Sequence, residues 1–401
     1  MSSLPSIPNS GRATWDVIII GAGPAGAACA LTLARAGHQV LLLDKSEFPR
    51  DKICGDQLLP DSLRVLSKLN LIDRVRTQAL AFESLRIFSP SRVDFVVACQ
   101  YLSISRRHLD AILVSAFTEA GGSFTVGKVA DVRSSAEGSA EVSVEGLSSP
   151  LRAEIVVIAT GTSINLADKI GVIANRQPSA VAMRAYYESD YQLEHNLMCY
   201  DRCLLPGFGW VFRVGENLYN MGCGRITGND GAEGTSLREA TETFFDEFPY
   251  ARAIVKNGRR VSELSGAPLR CGLAGCREYV KDNVVCIGEV IGTTHPFTGA
   301  GIGPAMQSGV VAGEAIDQAL QSNIKAPLLE YTRRIDSKMR PIHQGYLVAQ
   351  NWLSHPWIGD LLSRRIRKSR FLQHRSETVM AGTADPRELF SFSSILRSFW
   401  K

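Results

Sequence analysis

Long apolar runs are missing from this 401-residue sequence. No stretch approaches the roughly 18 to 20 uninterrupted apolar residues that a membrane-spanning helix needs. Residues 1–12 are polar and lack the apolar core and cleavage site of a secretory signal. The net charge of +4 is small and gives no overall electrostatic reason to bind nucleic acid. We therefore expect a cytoplasmic protein that has at most peripheral contact with a membrane and no nucleic-acid partner.

The nine cysteines have no tightly repeated spacing. An odd number scattered in this way argues against a disulfide framework and favours reduced thiols. Cys271 and Cys276 are close in sequence but lack the neighbouring Cys or His residues that would complete a zinc site. The sequence therefore predicts no metal centre.

The first clear structural pattern is a strand, a helix and a second strand. Residues 15–20 form a β-branched run that leaves through Gly21, as is typical of a buried parallel strand. Residues 25–36 are rich in Ala and Leu and end at Gly37, which suits a helix terminus. Residues 40–43 give the second strand. Together they predict a β-α-β unit.

A dinucleotide fingerprint, G-A-G-P-A-G at residues 21–26, lies between this strand and helix. That context makes the G-x-G-x-x-G match strong. Gly21 permits the tight turn, Gly23 lets the backbone approach a pyrophosphate, and Gly26 allows close packing. The helix N-terminus faces the phosphates, and Asp44 ends the second strand, where it can accept from ribose hydroxyls. We expect cofactor contacts at Gly21, Gly23, Pro24, Ala25, Gly26, Asp44 and Lys45. The fingerprint alone does not choose between NAD and FAD.

The rest of the chain contains two kinds of predicted strand. Alternating apolar and polar residues at 85–102 and 180–224 predict a separate antiparallel sheet. Buried strands at 155–158 and 284–287 are predicted to join the sheet of the β-α-β unit described above. We predict an α/β fold with a discontinuous Rossmann-like domain, an inserted antiparallel-sheet domain that holds substrate, and a helical C-terminal region. The Rossmann-like domain comprises residues 14–80, 101–165 and 275–325. The inserted domain comprises residues 81–100 and 166–274, and the helical region comprises residues 326–401.

Six further segments carry a family resemblance. They are S-R-R-H-L-D (105–110), A-T-G (159–161), V-C-I-G-E (285–289), H-P-F-T-G-A-G-I-G (295–303), F-P-R-D-K-I-C-G-D (48–56) and P-G-F-G-W-V-F (206–212). From residue 14 to about residue 320 the sequence resembles the geranylgeranyl reductase family, within the p-hydroxybenzoate hydroxylase-like flavoproteins. The resemblance implies FAD as the cofactor. It adds cofactor contacts at Cys54, Gly55, Arg106, Ala159, Gly161, Gly288, Glu289, Pro296, Gly299, Gly301, Ile302 and Gly303.

The glycine-rich segment at 295–303 resembles the second flavin fingerprint and has a physical rationale of its own. Glycines at Gly299, Gly301 and Gly303 before a helical run expose backbone donors at a positive dipole end. Reduced flavin carries negative charge near that edge. In the family that the segment at 285–289 resembles, the acid after the glycine is usually Asp and contacts a ribityl hydroxyl. Glu289 occupies that position here, so the resemblance implies the same contact for Glu289.

Two segments favour a reductase over a halogenase. The resembling halogenases commonly have H-I-G-E where this chain has K-I-C-G, so Cys54 is a catalytic candidate beside the isoalloxazine. Phe208 and Trp210 match the reductase motif that lines a substrate cavity. Each segment also has a plainer interpretation. Cys54 could be a small buried apolar residue, and the two aromatic residues could form one face of a sheet. His295 is either a proton relay or a structural hydrogen-bonding group.

The resemblance implies addition of hydrogen across an isoprenoid carbon-carbon double bond, with hydride from reduced flavin N5. The electrons come from NADPH, NADH or another reductant, and the substrate is a hydrophobic, prenyl-type small molecule. A flavin monooxygenase or halogenase acting on an aromatic or polyketide-like compound is the alternative. A flavoprotein used only for electron relay ranks behind both.

A basic segment follows in the C-terminal region. Residues 363–371 read S-R-R-I-R-K-S-R-F. An anionic membrane surface or a diphosphate head group would be attracted to it, whereas a solvated helix face is the plainer interpretation.

Overall fold

The computed structural model describes residues 14–134, 138–227, 236–322 and 326–400. The polar segment at residues 1–12 lies outside this range. In chain order the strands are β1 (Trp15–Ile20), β2 (Val40–Asp44), β3 (Gln57–Leu58), β4 (Leu80–Phe88), β5 (Asp94–Ser103), β6 (Ser123–Val126), β7 (Val129–Arg133), β8 (Ala140–Val144), β9 (Leu151–Ile158), β10 (Ala180–Ser189), β11 (Asn196–Cys199), β12 (Gly207–Arg213), β13 (Leu218–Ile226), β14 (Gly258–Arg260), β15 (Ser265–Leu269), β16 (Val280–Lys281) and β17 (Val284–Cys286). The helices are α1 (Pro24–Arg35), α2 (Pro60–Lys68), α3 (Ile72–Arg76), α4 (Arg106–Glu119), α5 (Asn165–Lys169), α6 (Leu237–Glu247), α7 (Pro249–Lys256), α8 (Ile302–Ser322), α9 (Ala326–Lys338), α10 (Arg340–Leu353), α11 (Pro356–Ile366), α12 (Arg370–Met380) and α13 (Phe392–Arg397).

The first sheet is a mostly parallel layer centred on β1. Its strand order is β16-β17-β9-β1-β2-β6, with β8 added beside β9 and β7 beside β8. The pairs β1/β2, β1/β9, β2/β6 and β17/β9 are parallel. Every residue of β2 is buried, as expected of a strand that is covered on both faces. Helices α1 and α8 pack against each other beside this sheet, and the predicted α/β fold class is confirmed.

The second sheet has the order β14-β10-β13-β12-β11-β4-β5-β3, and β15 also pairs with β10. Most of its neighbours are antiparallel, as predicted, but β11 and β4 are parallel. These two strands come from separate excursions of the chain, so no hairpin fixes their relative direction. The sheet also recruits β3 from the stretch that the sequence assigned to the first domain.

The C-terminal helices close the molecule over the second sheet. Helices α11 and α12 contact β5, and a separate apolar cluster that includes Leu362, Ile366, Leu372 and Val379 forms between the helices. Phe95 of β5 packs against this cluster. Within the described ranges, no helix is long and apolar enough to cross a membrane.

Candidate functional site

A cavity of about 1110 Å³ runs between the two sheets and the C-terminal helices. One end is walled by the turn after β1, the end of β2 and the loop before α8. The other end is walled by β4, β5, β11 and β12 on one side and by α10, α11 and α12 on the other. The predicted site residues that line the cavity are Gly21, Gly23, Pro24, Ala25, Asp44, Lys45, Cys54, Gly55, Arg106, Ala159, Gly161, Phe208, Trp210, Glu289, His295, Pro296, Gly299, Gly301 and Ile302.

The turn after β1 is shaped to receive a phosphate group. Gly21 has φ +103°, a conformation that side chains rarely adopt, and its N–H donates to the carbonyl of Leu43 over 2.7 Å. Helix α1 begins at Pro24, directly after Gly23. A Cβ added to Gly23 would meet only the Arg106 guanidinium, at 3.8 Å. The space beside Gly23 is therefore open, as the close approach of a pyrophosphate requires.

Asp44 is held firmly by the fingerprint loop. Its Oδ2 accepts from the N–H of Ala22 over 2.8 Å, and its Oδ1 accepts from the N–H of Ser46 over 3.0 Å. Arg50 approaches the same carboxylate at 3.6 Å. Asp44 therefore fixes the loop in place at the cavity wall, which leaves it positioned for the predicted ribose contact.

Arg106 is buried and paired in a bidentate manner. Its Nε and Nη2 each donate to a carboxylate oxygen of Asp110 over 2.7 Å, and Arg50 reaches the same carboxylate at 3.3 Å. Burial lowers the pKa of Arg106, but the Asp110 carboxylate raises it above its usual value. Two guanidinium groups are thus fixed in the cavity wall, and the carboxylates of Asp110 and Asp44 balance their charge.

The loop before α8 folds back on itself at the cavity. The N–H of His295 donates to the carbonyl of Ala300 over 2.8 Å, and the N–H of Gly299 donates to the carbonyl of His295 over 3.1 Å. Helix α8 then begins at Ile302. A Cβ on Gly299 would stand 3.5 Å from the ring of Phe208. The loop therefore joins a helix N-terminus to the aromatic wall of the cavity.

Glu289 already has protein partners. Its Oε1 accepts from the N–H of Arg270 and from the hydroxyl of Thr294, each over 3.2 Å. Burial raises the pKa of Glu289, while the Arg270 N–H and the positive charge of Lys52 oppose that rise. These bonds orient the carboxylate beside the loop that precedes α8.

Three predicted contact residues do not line the cavity: Gly26, Gly288 and Gly303. An added Cβ would lie 1.9 Å from the Gly21 carbonyl oxygen at Gly26, and 2.7 Å from the Ala25 side chain at Gly288. At Gly303 it would lie 2.5 Å from the Asp61 carboxylate. These three glycines therefore lie behind the cavity wall, where an added Cβ would come closer to its neighbours than packed atoms allow.

Cys54 and Trp210 are tied together by Asn220. The indole N–H of Trp210 donates to Oδ1 of Asn220 over 2.9 Å. The amide nitrogen of Asn220 donates to the carbonyl of Cys54 over 2.7 Å. Burial and the charge of Asp56 raise the pKa of Cys54, which favours the neutral thiol. The two catalytic candidates thus belong to one hydrogen-bonded unit, and sequence reasoning missed the residue that joins them.

Asp56 is a fully buried carboxyl group in the same unit. Its Oδ2 accepts from the hydroxyl of Tyr186 over 2.6 Å and from Asn220 over 2.8 Å. Its Oδ1 accepts from the N–H of Arg106 over 3.3 Å. Burial raises the pKa of Asp56 to about 6, against the lowering effect of Tyr186 and Asn220. The last residue of the K-I-C-G-D segment is therefore an acid that titrates near neutral pH in the cavity wall.

The aromatic wall serves both as a cavity lining and as a packed cluster. Phe208, Trp210 and Phe212 all border the cavity, and the rings of Trp210 and Phe212 stack at 6.3 Å. Tyr200 stacks on Phe297 at 5.1 Å. The two readings of this motif are thus compatible, because one face of the sheet is the wall of the cavity.

His295 lies among other rings. It stacks on Tyr346 at 4.7 Å and meets His343 edge to face at 5.0 Å. Burial lowers the pKa of His295 to about 4. A neutral imidazole at the cavity wall is the form that these contacts favour, and neither of the two predicted roles is decided by them.

That the C-terminal helices close the cavity could not be predicted from the sequence. Their apolar lining residues include Tyr346, Leu353, Leu362, Ile366, Val379 and Met380, and Gln350, Ser363 and Ser376 are polar. Their periodicity marks apolar helix faces, but periodicity does not reveal which surface such a face covers. All nine cysteines are free, and no group able to hold a metal occurs within the described ranges.

Known proteins match this chain over most of its length. Residues 14–195 match the family model described as an FAD binding domain. The chain is 29% identical over 325 residues to a digeranylgeranylglycerophospholipid reductase of Methanopyrus kandleri, covering 77% of this chain and 82% of the relative. A geranylgeranyl bacteriochlorophyll reductase-like structure from Thermoplasma acidophilum aligns with TM-score 0.77, 20% identity and coverage of 97% and 96%. The flavin-dependent brominase Bmp2 aligns equally well, with TM-score 0.77, 20% identity and coverage of 96% and 98%. The structural matches therefore establish the shared fold, and FAD as the cofactor is confirmed by the domain match.

Proposed function

Because the chain belongs to the FAD-dependent oxidoreductases, we propose that it adds hydrogen across a carbon-carbon double bond of an isoprenoid substrate. One observation carries the proposal: a single cavity joins the glycine-rich cofactor end to an apolar chamber under the C-terminal helices. A cavity of about 1110 Å³ with this apolar lining suits a hydrocarbon chain. The relative named as a digeranylgeranylglycerophospholipid reductase supports the substrate class.

The residues at the cofactor end fit FAD. The open space beside Gly23 accepts the pyrophosphate, and the Arg106 guanidinium, 3.8 Å from the position of an added Cβ, borders that space. Asp44 is positioned to accept from the adenosine ribose, and Glu289 from the ribityl chain. When bound, FAD supplies the hydride donor at N5.

The remaining residues orient the alkene, exclude water and supply a proton. Phe208 and Trp210 form the wall against which the double bond rests, and a dry apolar chamber protects the reduced cofactor. The second hydrogen arrives as a proton. We assign this proton to the Asp56 carboxyl, which lines the cavity and whose pKa burial raises to about 6. The carboxylate that remains after the transfer accepts hydrogen bonds from the Tyr186 hydroxyl and the Asn220 amide, which stabilise its charge.

The proposal includes NADPH or NADH, or another reductant, as the electron source. It also includes a cytoplasmic location in which nine free thiols stay reduced. Reducing the purified protein anaerobically with each nucleotide, and following the flavin absorbance, identifies the donor.

The decisive experiment is anaerobic reoxidation of the reduced holoprotein by a panel of prenyl compounds of different chain lengths. We expect reoxidation together with a product that has gained two hydrogens by mass. Saturated prenyl chains are the matched control and should leave the flavin reduced. Reoxidation by none of the prenyl alkenes would contradict the proposal.

The alternative is an oxygen-dependent monooxygenase or halogenase. The fold shared with the brominase is compatible with it, whereas Cys54 and Gly55 stand where the resembling halogenases have other residues. Oxygen consumption separates the two, because a monooxygenase or halogenase consumes oxygen in proportion to product and a reductase works without it.

A further inference from the structure

The outer surface of the C-terminal helices carries an apolar stripe that nothing in the described chain covers. Phe392, Leu396, Phe399 and Trp400 are 67%, 57%, 57% and 80% exposed. Their spacing of three and four residues puts them on one face of α13 and the turn that follows it. Ile395, which adjoins this face, is buried. Large exposed apolar groups that form one stripe mark an interaction surface.

The stripe is held rigidly against α11. Arg365 of α11 lies 3.9 Å above the ring of Phe399, and its Nε donates to the hydroxyl of Ser398 over 3.0 Å. At the other end of α13, the ring of Phe392 packs against Trp352 at 4.8 Å. The stripe is therefore a fixed part of the fold.

Positive charge borders the stripe. Arg364, Arg367, Lys368 and Arg370 on and after α11 are exposed, and so is Arg397 of α13. The segment from residue 356 to residue 370 contains one acid, Asp360, and the segment from residue 389 to residue 400 contains none. Asp360 is engaged by the hydroxyls of Ser89 and Ser91, each over 2.6 Å. Arg367 lies 4.0 Å from Asp94 of β5. Cations outnumber acids in these two segments, so the part of the chain that carries the stripe has a net positive charge.

The same elements form the far wall of the cavity. Leu362 and Ile366 of α11 line it from the inside, and so do Leu389 and Phe390, which directly precede α13. Helix α11 therefore contributes to the cavity wall and also contacts the segment that carries the exposed stripe.

From this arrangement we propose that α11 and α13 dock the protein on an anionic lipid bilayer. The apolar stripe enters the interface between head groups and acyl chains, and the surrounding arginines and lysine contact the head groups. An amphipathic face with aromatic residues and cations is the combination that binds such surfaces. Docking would bring the apolar chamber next to the phase in which a prenyl lipid dissolves. This last consequence rests on the proposed function, whereas the docking itself does not.

The test is co-sedimentation of the FAD-loaded protein with vesicles, without substrate. One set contains phosphatidylcholine alone and the other contains phosphatidylcholine and phosphatidylglycerol in equal amounts. We expect binding to the anionic vesicles that weakens in high salt. The double variant Leu396→Ser with Trp400→Ser should weaken binding at least about tenfold. Arg364→Glu with Lys368→Glu should weaken it by about fivefold for each cation.

Matched controls use residues of similar exposure outside this face. Leu329→Ser on α9, at 57% exposure, and Arg333→Glu should bind as the parent does. Retained flavin absorbance and circular dichroism show that each variant is folded. The proposal is overturned if the parent does not bind anionic vesicles or if the stripe variant binds equally well. It is also overturned if light scattering shows a dimer that the stripe variant abolishes, because the face would then be covered by a second copy. None of these outcomes depends on whether the protein reduces alkenes.

Discussion

Trp210 donates its indole N–H to the amide oxygen of Asn220, and the amide nitrogen of Asn220 donates in turn to Cys54 and Asp56. A single amide thus sets the relative positions of the aromatic wall and the K-I-C-G-D segment.

Trp210→Ala and Cys54→Ala should keep a normal flavin spectrum while slowing alkene-dependent reoxidation. Misplacing the alkene by about 1 Å can slow the reaction by roughly 100-fold. Trp210→Phe, which keeps a ring but loses the bond to Asn220, should have an intermediate rate. Stopped-flow absorbance of the reduced protein measures all three. Parent rates in both alanine variants would mean that these residues only pack the core.

Asp56→Asn should remove a pH dependence from the reaction. The Asp56 pKa is raised to about 6 by burial, so the carboxyl loses its proton as the pH rises through that value. If this proton is delivered to substrate, the parent rate falls as pH rises from about 5 to about 8. We expect Asp56→Asn to be slow with a flat profile. Asp73→Asn, at a carboxylate that is 93% exposed and does not line the cavity, is the control, and a profile that survives in Asp56→Asn would exclude this role.

Gly23→Ala should weaken FAD binding at least about tenfold, because its methyl group would enter the space of the pyrophosphate. Nothing in the folded chain lies within ordinary contact distance on that side except Arg106 at 3.8 Å, so the apoprotein should still fold. Gly224→Ala also fits its surroundings but lies in the second sheet, and it should retain FAD. Flavin content after purification distinguishes them, and full occupancy in Gly23→Ala would refute the placement of the cofactor.

Met380→Trp should shorten the accepted substrate. Met380 ends α12, lines the chamber and packs in the cluster that contains Tyr200 and Trp210. A larger ring there fills part of the space for a hydrocarbon chain. We expect the rate of flavin reoxidation by long prenyl compounds to fall, while the rate with short prenyl compounds stays close to that of the parent. Thr378→Trp, on the same helix but outside the lining, is the control, and an equal loss for all chain lengths would contradict the prediction.

His343 should make the protein sensitive to acid. Both of its ring nitrogens are buried and, among the described residues, have no hydrogen-bond partner. Burial lowers its pKa from 6.5 to about 3. The unfolded chain therefore binds more protons between these values, and stability falls as the pH drops through this window.

The size of this effect is measurable. Between pH 7 and pH 5 a histidine of this kind lowers the free energy of unfolding by about 2 kcal/mol. His343→Leu should lose that part of the pH dependence in urea unfolding, whereas His374→Gln, at an exposed histidine, should keep it. The prediction is contradicted if the free energy of unfolding depends on pH equally in the parent and in His343→Leu.

Local sequence was enough to predict the cofactor half of the molecule. The turn at Gly21 and Gly23, the strand that ends at Asp44 and the loop before α8 are each encoded within a few residues. A tight turn needs glycine, and a buried parallel strand needs a continuous apolar run. These demands leave the same pattern wherever they occur, so the α/β class and a dinucleotide site could be predicted from local sequence. The choice of FAD over NAD came from the family resemblance.

Only the tertiary structure decided how the other half is built. Asn220 joins Cys54 to Trp210, and Asp56 has a pKa near 6, because three strands and a loop meet there. The apolar faces of α11 and α12 close the chamber, while α13 leaves its own apolar stripe exposed. Sequence periodicity shows that a helix has an apolar face, but the partner of that face depends on contacts between residues far apart in the chain.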